Sequence, residues 1–429
     1  MKASWFLLVL IALFILGIPV AFSLGITSTL MMTATSGGIR FGIIIQRMIS
    51  GVNTFILLAI PMFLLAGKLM NVTGITDRLF DFAKVLVGWM PGGLAQVNIM
   101  ASVIFAGKTA TAVSDISALG AIEIRAMTNA GFDLDFTCAV SAASATMGPV
   151  FPPSLPMIVY GSMSGASIGA LFLAGVMPGF LMAAAMMLTV GIFTLVRKYP
   201  REKFPTLKAI IQSFVRAIPP LTAPVILFTG IYGGFFTPTE AAVVLVFYAL
   251  FLGVVVYRSM TLKIMWELVC DTAIDAAAIG FIVAGATLFG DVVIKTLVPQ
   301  HLLEMVTASI KTPWILLLVI NIFLLVLGLF LETVAAITIT VPLLMPLIVA
   351  ANVDLVHFGI IMTLNLMIGV LTPPFGIVLF VCSYVGKISV ARLTRALLPW
   401  IGALFVCLMI ITYVPEISLY IPRSAGLIK

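Results

Sequence analysis

The 429-residue sequence predicts an all-α polytopic membrane protein made of two inverted repeats, each holding a re-entrant helical hairpin and a broken helix. Three observations predict this class. Hydrophobic residues make up 62% of the chain and charged residues 9%, with mean hydropathy +1.25, whereas soluble domains carry about 25% charge. Apolar runs, to be compared with the about 20 residues that cross a bilayer, lie at 5–33, 55–69, 136–160, 168–196, 221–257, 274–289, 314–330, 358–384 and 397–414. Two of these runs are interrupted by similar knots, Met147-Gly148-Pro149-Val150-Phe151-Pro152-Pro153-Ser154 and Ile368-Gly369-Val370-Leu371-Thr372-Pro373-Pro374-Phe375.

A double proline removes two backbone donors, and its ring clashes with the preceding turn, so neither knot continues a helix. In lipid the freed carbonyls need another partner, and matched interruptions in two halves of a membrane protein point to ion and substrate sites. Pro152, Pro153, Pro373 and Pro374 are therefore read as the structural breaks.

Sliding the chain on itself shows how far the duplication extends. Gly148 falls on Gly369, Pro152-Pro153 on Pro373-Pro374, Ser162 on Ser383, Gly165 on Gly386, Gly107 on Gly328 and Asp133 on Asp354. Slightly smaller shifts align Phe63-Leu64-Leu65-Ala66-Gly67 with Phe281-Ile282-Val283-Ala284-Gly285, and Gly17-Ile18 with Gly230-Ile231. Crossings are expected near 5–33, 52–71, 77–90, 135–162 and 168–196, an odd number per half, which inverts the second half. The stretch 94–130 is left over. Its two short apolar runs flank Gly107-Lys108-Thr109-Ala110-Thr111, which predicts a re-entrant hairpin. The matching stretch is 314–349, with its tip at Leu329-Phe330-Leu331-Glu332-Thr333. The expected division is a first scaffold over 1–93 and a first hairpin, broken helix and closing helix over 94–196. A basic linker follows at 197–216, then the second scaffold over 217–313 and the second transport part over 314–429.

The net charge of +7 does not indicate nucleic acid, because it sits in short loops. Arg197, Lys198, Arg201, Lys203, Lys208 and Arg216 crowd one stretch against a single acid, Glu202, which makes it cytoplasmic by the positive-inside rule. Arg40 and Arg47 mark a second inside loop, which places the N-terminus outside, in the periplasm. The first apolar run continues past any cleavage point and is expected to be a retained helix rather than a signal peptide. Cys138, Cys270, Cys382 and Cys407 have no metal or redox spacing and read as small buried hydrophobes.

The chain resembles the large membrane (M) subunit of tripartite ATP-independent periplasmic (TRAP) transporters, within the ion transporter superfamily. The resemblance spans nearly the whole chain. It is carried by Gly230-Ile-Tyr-Gly-Gly-Phe-Phe-Thr-Pro-Thr-Glu-Ala-Ala242, Pro152-Pro-Ser-Leu-Pro-Met-Ile-Val-Tyr160, His357-Phe-Gly-Ile-Ile361 and Thr412-Tyr-Val-Pro415, with Ala66-Gly67 and Pro299-Gln300. It implies an elevator-type, sodium-coupled symporter of organic anions in a bacterial inner membrane. It also implies two separate partners, a small four-helix membrane subunit and a periplasmic substrate-binding protein. No organic cofactor is expected. Sialic acid, C4-dicarboxylates, keto acids and other organic anions all remain open as cargo. One departure is visible: the family's first tip usually contains Ser-Gly-Ser, where this chain has Lys108-Thr109-Ala110-Thr111.

Sodium takes hard oxygen ligands, which unwound backbone and hydroxyls supply. One ion is expected near Gly107, Thr109, Thr111, Gly148 and Val150, and another near Gly328, Thr333, Gly369 and Leu371, or about two ions per cycle or more. Threonines that merely bond back to their own helices are the structural alternative. An anion wants N–H donors at helix starts, hydroxyls and a cation, so Lys108, Ser154, Asn365 and Thr372 are the substrate-site candidates. Lys108 snorkelling to water or pairing with Asp115 is the alternative for that residue. Glu332 and Asp275 are possible ion-linked acids; Glu332 as a hairpin cap and Asp275 at the interface are their structural readings.

The chain is not expected to be an enzyme. Gly165-Ala-Ser-Ile-Gly169 matches G-x-S-x-G but lacks a strand–turn–helix context, and tight helix packing explains it better than a membrane-embedded hydrolase. There is no P-loop, HExxH or dinucleotide fingerprint. A stand-alone sodium/anion elevator carrier and a channel are the other readings, the latter because channels also use re-entrant loops.

Overall fold

The computed structural model describes residues 5–36, 41–104, 111–298, 300, 304 and 312–428. Among them every regular element is helical, and eight helices are long and apolar enough to cross a membrane. Helices dominate because in lipid each peptide must be satisfied within its own segment.

The first repeat opens with α1 (Trp5–Ile15) and α2 (Val20–Ser36). The run 5–33, expected as one crossing, is thus two helices. Gly17, at φ +76, turns the chain just before Pro19, which offers no N–H to a continuing helix. Next come α3 (Phe41–Val52), α4 (Ala59–Val72) and α5 (Ile75–Val87). Arg47, expected in a loop, lies on α3, and its guanidinium is 3.6 Å from Asp291. The first hairpin is α6 (Gly93–Ile104) and a return arm made of α7 (Ala112–Asp115), a π turn (Ile116–Gly120) and α8 (Ala121–Asn129). The broken helix is α9 (Leu134–Ala145) and α10 (Leu155–Ser164), and α11 (Ile168–Arg197) closes the repeat.

Of the basic stretch 197–216, only 198–206 is non-helical; Lys208 and Arg216 lie on α12 (Leu207–Tyr232). The run 221–257 also proves to be two helices. Gly234, at φ +69, ends the first, and α13 (Pro238–Phe251) starts on Pro238 behind a capping box. In that box Thr237 N–H donates to Glu240 Oε2 at 2.8 Å, and Glu240 N–H donates to Thr237 Oγ1 at 3.3 Å. The long α14 (Leu262–Lys295) follows. The second hairpin is α15 (Pro313–Phe330) and α16 (Thr333–Ala350), and the second broken helix is α17 (Leu355–Gly369) and α18 (Ile377–Gly386). Last are α19 (Val390–Tyr413) and α20 (Glu416–Ser424).

The two broken helices form the centre of the molecule. Every residue from Phe136 to Ala145 on α9 and from Val356 to Gly369 on α17 is buried. The first break is likewise buried, from Thr146 to Val150, whereas the second leaves Pro374 and Phe375 exposed. The outer helices show the opposite pattern, with exposed apolar side chains such as Leu188, Phe247 and Ile322.

Packing between the repeats is reciprocal. Each half-helix before a break lies against its own hairpin, α9 on α6 and α8, α17 on α15 and α16. Each half-helix after a break crosses to the other repeat: α10 packs along α16, and α18 packs on α7, α8 and the π turn. This exchange brings the start of the first return arm at Thr111, the second tip and both breaks to one place.

Candidate functional site at the hairpin tips

Both breaks are tight turns shaped by missing N–H groups. In the first, the amides of Val150 and Phe151 both donate to the Met147 carbonyl, at 3.0 and 2.8 Å. In the second, Leu371 N–H donates to Ile368 O at 3.2 Å and Thr372 N–H to Gly369 O at 2.9 Å. Both Pro-Pro peptides are cis. Gly376 closes the second turn; a Cβ there would lie 2.7 Å from the carbonyl oxygens of both Val370 and Thr372, so only glycine fits.

Four helix starts meet at the cleft between these turns. Its walls come from Thr111 and Ala112 at the first hairpin and Glu332 and Thr333 at the second. Pro149 and Pro156 flank the start of α10, and Val370 and Ile377 flank the start of α18. The cleft leaves about 10 Å³ of room, enough for about one water-sized sphere. Helix starts carry partial positive charge on unpaired N–H groups, so the cleft favours an anion at their focus. Three of the starts are capped. Thr111 Oγ1 accepts from Ser114 N–H at 3.2 Å, and Ser154 Oγ accepts from Met157 N–H at 3.3 Å while donating to Pro149 O. Glu332 accepts from the amides of Val334 and Ala335 at 2.9 and 3.4 Å. The start of α18, at Gly376, has no side-chain cap.

The second tip is seated on its break backbone to backbone. A Cβ on Gly369 would be 2.6 Å from Gly328 Cα and 2.7 Å from Gly328 C. Phe330 and Phe375 flank this contact, ring centroids 5.1 Å apart. At the first break the Val150 carbonyl oxygen leans on α11, 2.4 Å from where a Cβ on Gly175 would stand.

Each hairpin is also pinned by an asparagine on its first arm. Asn98 Nδ2 donates to Glu123 Oε2 at 2.8 Å and to Ser141 Oγ at 2.9 Å, and its Oδ1 accepts from Ser144 Oγ at 2.6 Å. Asn321 Oδ1 accepts from Asn365 Nδ2 at 2.7 Å, and its Nδ2 donates to Thr412 Oγ1 at 3.1 Å. Sequence reasoning missed Asn98, Asn321, Glu123, Ser141 and Ser144. The available signal was a strong amide inside an apolar segment, near the same place in each half.

The structure brings Thr111, Glu332 and Thr333 together around the cleft, with Pro149 next to Gly148 and Val150, and Val370 between Gly369 and Leu371. Gly328 touches Gly369 directly. Ser154 acts as a helix cap, Thr372 Oγ1 donates to Ile368 O at 2.7 Å, and Asn365 is fully buried against Asn321. Asp275 stands apart, on α14, paired with Lys68 at 2.6 Å. Gly107, Lys108 and Thr109 lie outside the described residues. The Gly165–Gly169 motif is a joint between helices: Gly165, at φ +78, ends α10, and Ser167 Oγ accepts from Ala170 N–H at 3.3 Å to start α11.

Residues 7–417 match the family described as tripartite ATP-independent periplasmic transporter, DctM component. The chain is 43% identical over 415 residues to the sialic acid TRAP transporter large permease protein SiaM of Vibrio cholerae, covering 95% of each. It is 38% identical over 373 residues to the C4-dicarboxylate TRAP transporter large permease protein DctM of Pseudomonas aeruginosa, covering 87% of each. The crystal structure of the Alcanivorax borkumensis YdaH transporter shares its fold, with TM-score 0.66 at 13% identity over 90% of this chain and 88% of that one. These relatives are transporter permeases, and the chain is not an enzyme. The chain belongs to the tripartite ATP-independent periplasmic transporter family, as its DctM component.

Proposed function

We propose that this chain carries an organic carboxylate into the cell in symport with sodium. It works in a bacterial inner membrane with a small four-helix subunit and receives its cargo from a periplasmic binding protein. The observation that carries the reading is the convergence of four helix starts on one cleft. Such a focus suits a carboxylate, with the start of α18, which has no side-chain cap, as the natural donor end. Sodium suits the oxygen-rich backbone around it. One ion belongs with Thr111, Gly148 and Val150, the other with Gly328, Thr333, Gly369 and Leu371. A cleft with room for one water-sized sphere admits an organic anion only when the tips part.

The elevator reading assigns the hairpins and broken helices of 94–196 and 314–429 to a moving unit, and 1–93 with 217–313 to the scaffold. The matched relatives are named for sialic acid and C4-dicarboxylates, which sets the first cargoes to try. The test reconstitutes the chain with its small subunit in proteoliposomes and adds the binding protein loaded with labelled carboxylate. Uptake is expected to need an inward sodium gradient and to fall in Thr333→Ala. Uptake indifferent to sodium would refute the coupling, and uptake without the binding protein would make the chain a stand-alone carrier.

A further inference from the structure

A second cleft, of about 870 Å³, shares no residue with the tip site and lies among α5, α12 and the segment after α13. Arg78, Arg216, Ser213, Tyr257, Ser259 and Asp81 line it. The hydroxyl oxygens of Ser213, Tyr257 and Ser259 are buried and have no hydrogen-bond partner in the protein. Buried polar groups are nearly always paired, so three orphan hydroxyls around one cleft mark a place where something else supplies the partner.

The charges say what that partner is. Arg78 stacks its guanidinium 3.9 Å from the Tyr257 ring centroid and donates to Gly74 O at 2.8 Å, which leaves most of its five N–H groups free. Arg216 forms no ion pair among the described residues. Lys84 is neutralised by Glu202 at 3.1 Å, and Asp81 adds one carboxylate. Among the described residues two arginines therefore line the cleft against one acid, with the three buried hydroxyls set just behind its surface. Next to this polar floor in the sequence stand exposed apolar side chains, Phe214, Val215 and Val255. The cleft also adjoins the basic loop, since Lys84 on its wall reaches Glu202 of that loop.

We propose that this cleft binds the phosphate headgroup of an anionic phospholipid from the leaflet on the basic-loop side, with its acyl chains on the apolar rim. A phosphate diester offers several strong acceptors, which matches convergent guanidinium and hydroxyl donors, and basic pockets between membrane helices recognise such headgroups. A carboxylate on a neighbouring protein helix has two oxygens on a short stem and leaves part of this floor unpaired. Free inorganic phosphate satisfies the floor but gains nothing from the rim.

The experiment follows thermal unfolding of the full chain in detergent with phosphatidylglycerol, phosphatidylcholine or inorganic phosphate added, and native mass spectrometry of retained lipid. Phosphatidylglycerol alone is expected to raise the midpoint and to survive in the spectra. Arg216→Gln, at an exposed and unpaired side chain, should fold normally and hold phosphatidylglycerol about fivefold less tightly. Ser213→Ala with Tyr257→Phe should weaken retention in the same direction. Equal effects of the two lipids, or wild-type retention by Arg216→Gln, would overturn the proposal. An equal shift with inorganic phosphate would reassign the cleft to a free anion. Loss of the lipid effect once the small membrane subunit is bound would reassign it to a subunit contact; either reassignment also overturns the proposal.

Discussion

Gly369→Ala tests whether the second hairpin tip must sit flush on its break. The added Cβ would stand 2.6 Å from Gly328 Cα and 2.7 Å from Gly328 C. Carbon atoms rest about 3.5–4.0 Å apart, so the overlap is about 1 Å. Both opposing atoms are backbone, and no side chain can swing away. The tip must back off by about that distance, at an overpacking cost of about 1–3 kcal/mol. Glu332 and Thr333 move with it, in a cleft that holds only one water-sized sphere. Misplacing binding groups by about 1 Å costs an enzyme up to about a hundredfold, and an uptake loss of at least about tenfold is expected here. Gly328→Ala is milder, because its Cβ meets Gly369 Cα at 3.0 Å. Gly280→Ala on α14 meets nothing within 4 Å and serves as the neutral control. Initial uptake rates in proteoliposomes and unfolding midpoints of the same preparations give the ranking. Uptake by Gly369→Ala equal to the Gly280 control, or better than Gly328→Ala, would refute the reasoning.

Three further outcomes are expected. Asn98→Leu removes donors from Glu123 and Ser141 and the acceptor of Ser144, and should destabilise by about 1–3 kcal/mol in chemical denaturation. Glu332→Gln keeps an oxygen for the amides of Val334 and Ala335 and should retain uptake within about twofold, whereas Glu332→Ala loses a cap worth about 0.5–2 kcal/mol; equal loss in both would assign the role to charge. Burial, and then the hydrogen bond its hydroxyl donates to Asp133 at 2.7 Å, pushes the Tyr199 phenol in the basic loop up to about 12. Its neutral form therefore favours the fold below the unfolded value of about 10, and that contribution fades as pH rises through about 12. An ultraviolet titration should lose one late-ionising tyrosine in Tyr199→Phe.

The architecture was legible where covalent structure forces it. A proline pair alone does not end a helix here, since Pro219-Pro220 lies inside α12; the two breaks could be placed from sequence because their proline pairs recur with Gly148 and Gly369 at matched positions, and duplication around them predicted a hairpin before each. Turns without such compulsion were not legible. The split between α12 and α13 sits inside the run read as 221–257, where Gly233-Gly234 and the short polar stretch Thr237–Glu240 are too brief to separate the apolar residues on either side. The split at Gly17 escaped for the same reason. At the site, residue type identified the neighbourhood but not the partner. Ser154, Thr372 and Asn365 have the right chemistry for a ligand, yet their bonds to Met157 N–H, Ile368 O and Asn321 depend on rotamer and on helix register. Asn98 and Asn321 went unnoticed because each sits in a mainly apolar run, and its value appears only when a second helix supplies Ser144 or Asn365.

The reciprocal packing bears directly on how cargo and ion movements are coupled. If α10 lay only against the first hairpin, each repeat could open alone, and an ion at one tip would have no hold on the other. Instead α10 runs along α16 and α18 lies on the return arm of the first hairpin. Displacing the second tip therefore pushes on the half-helix that follows the first break, and the reverse holds for the first tip. Close-packed helices resist gradual deformation and shift between discrete arrangements. An ion that ties Thr333 to Gly369 then favours one arrangement of all four helix starts, including the uncapped start of α18 where a carboxylate would be held. On the proposed function, sodium and anion share one two-state element and need no direct contact for each to strengthen the other's binding.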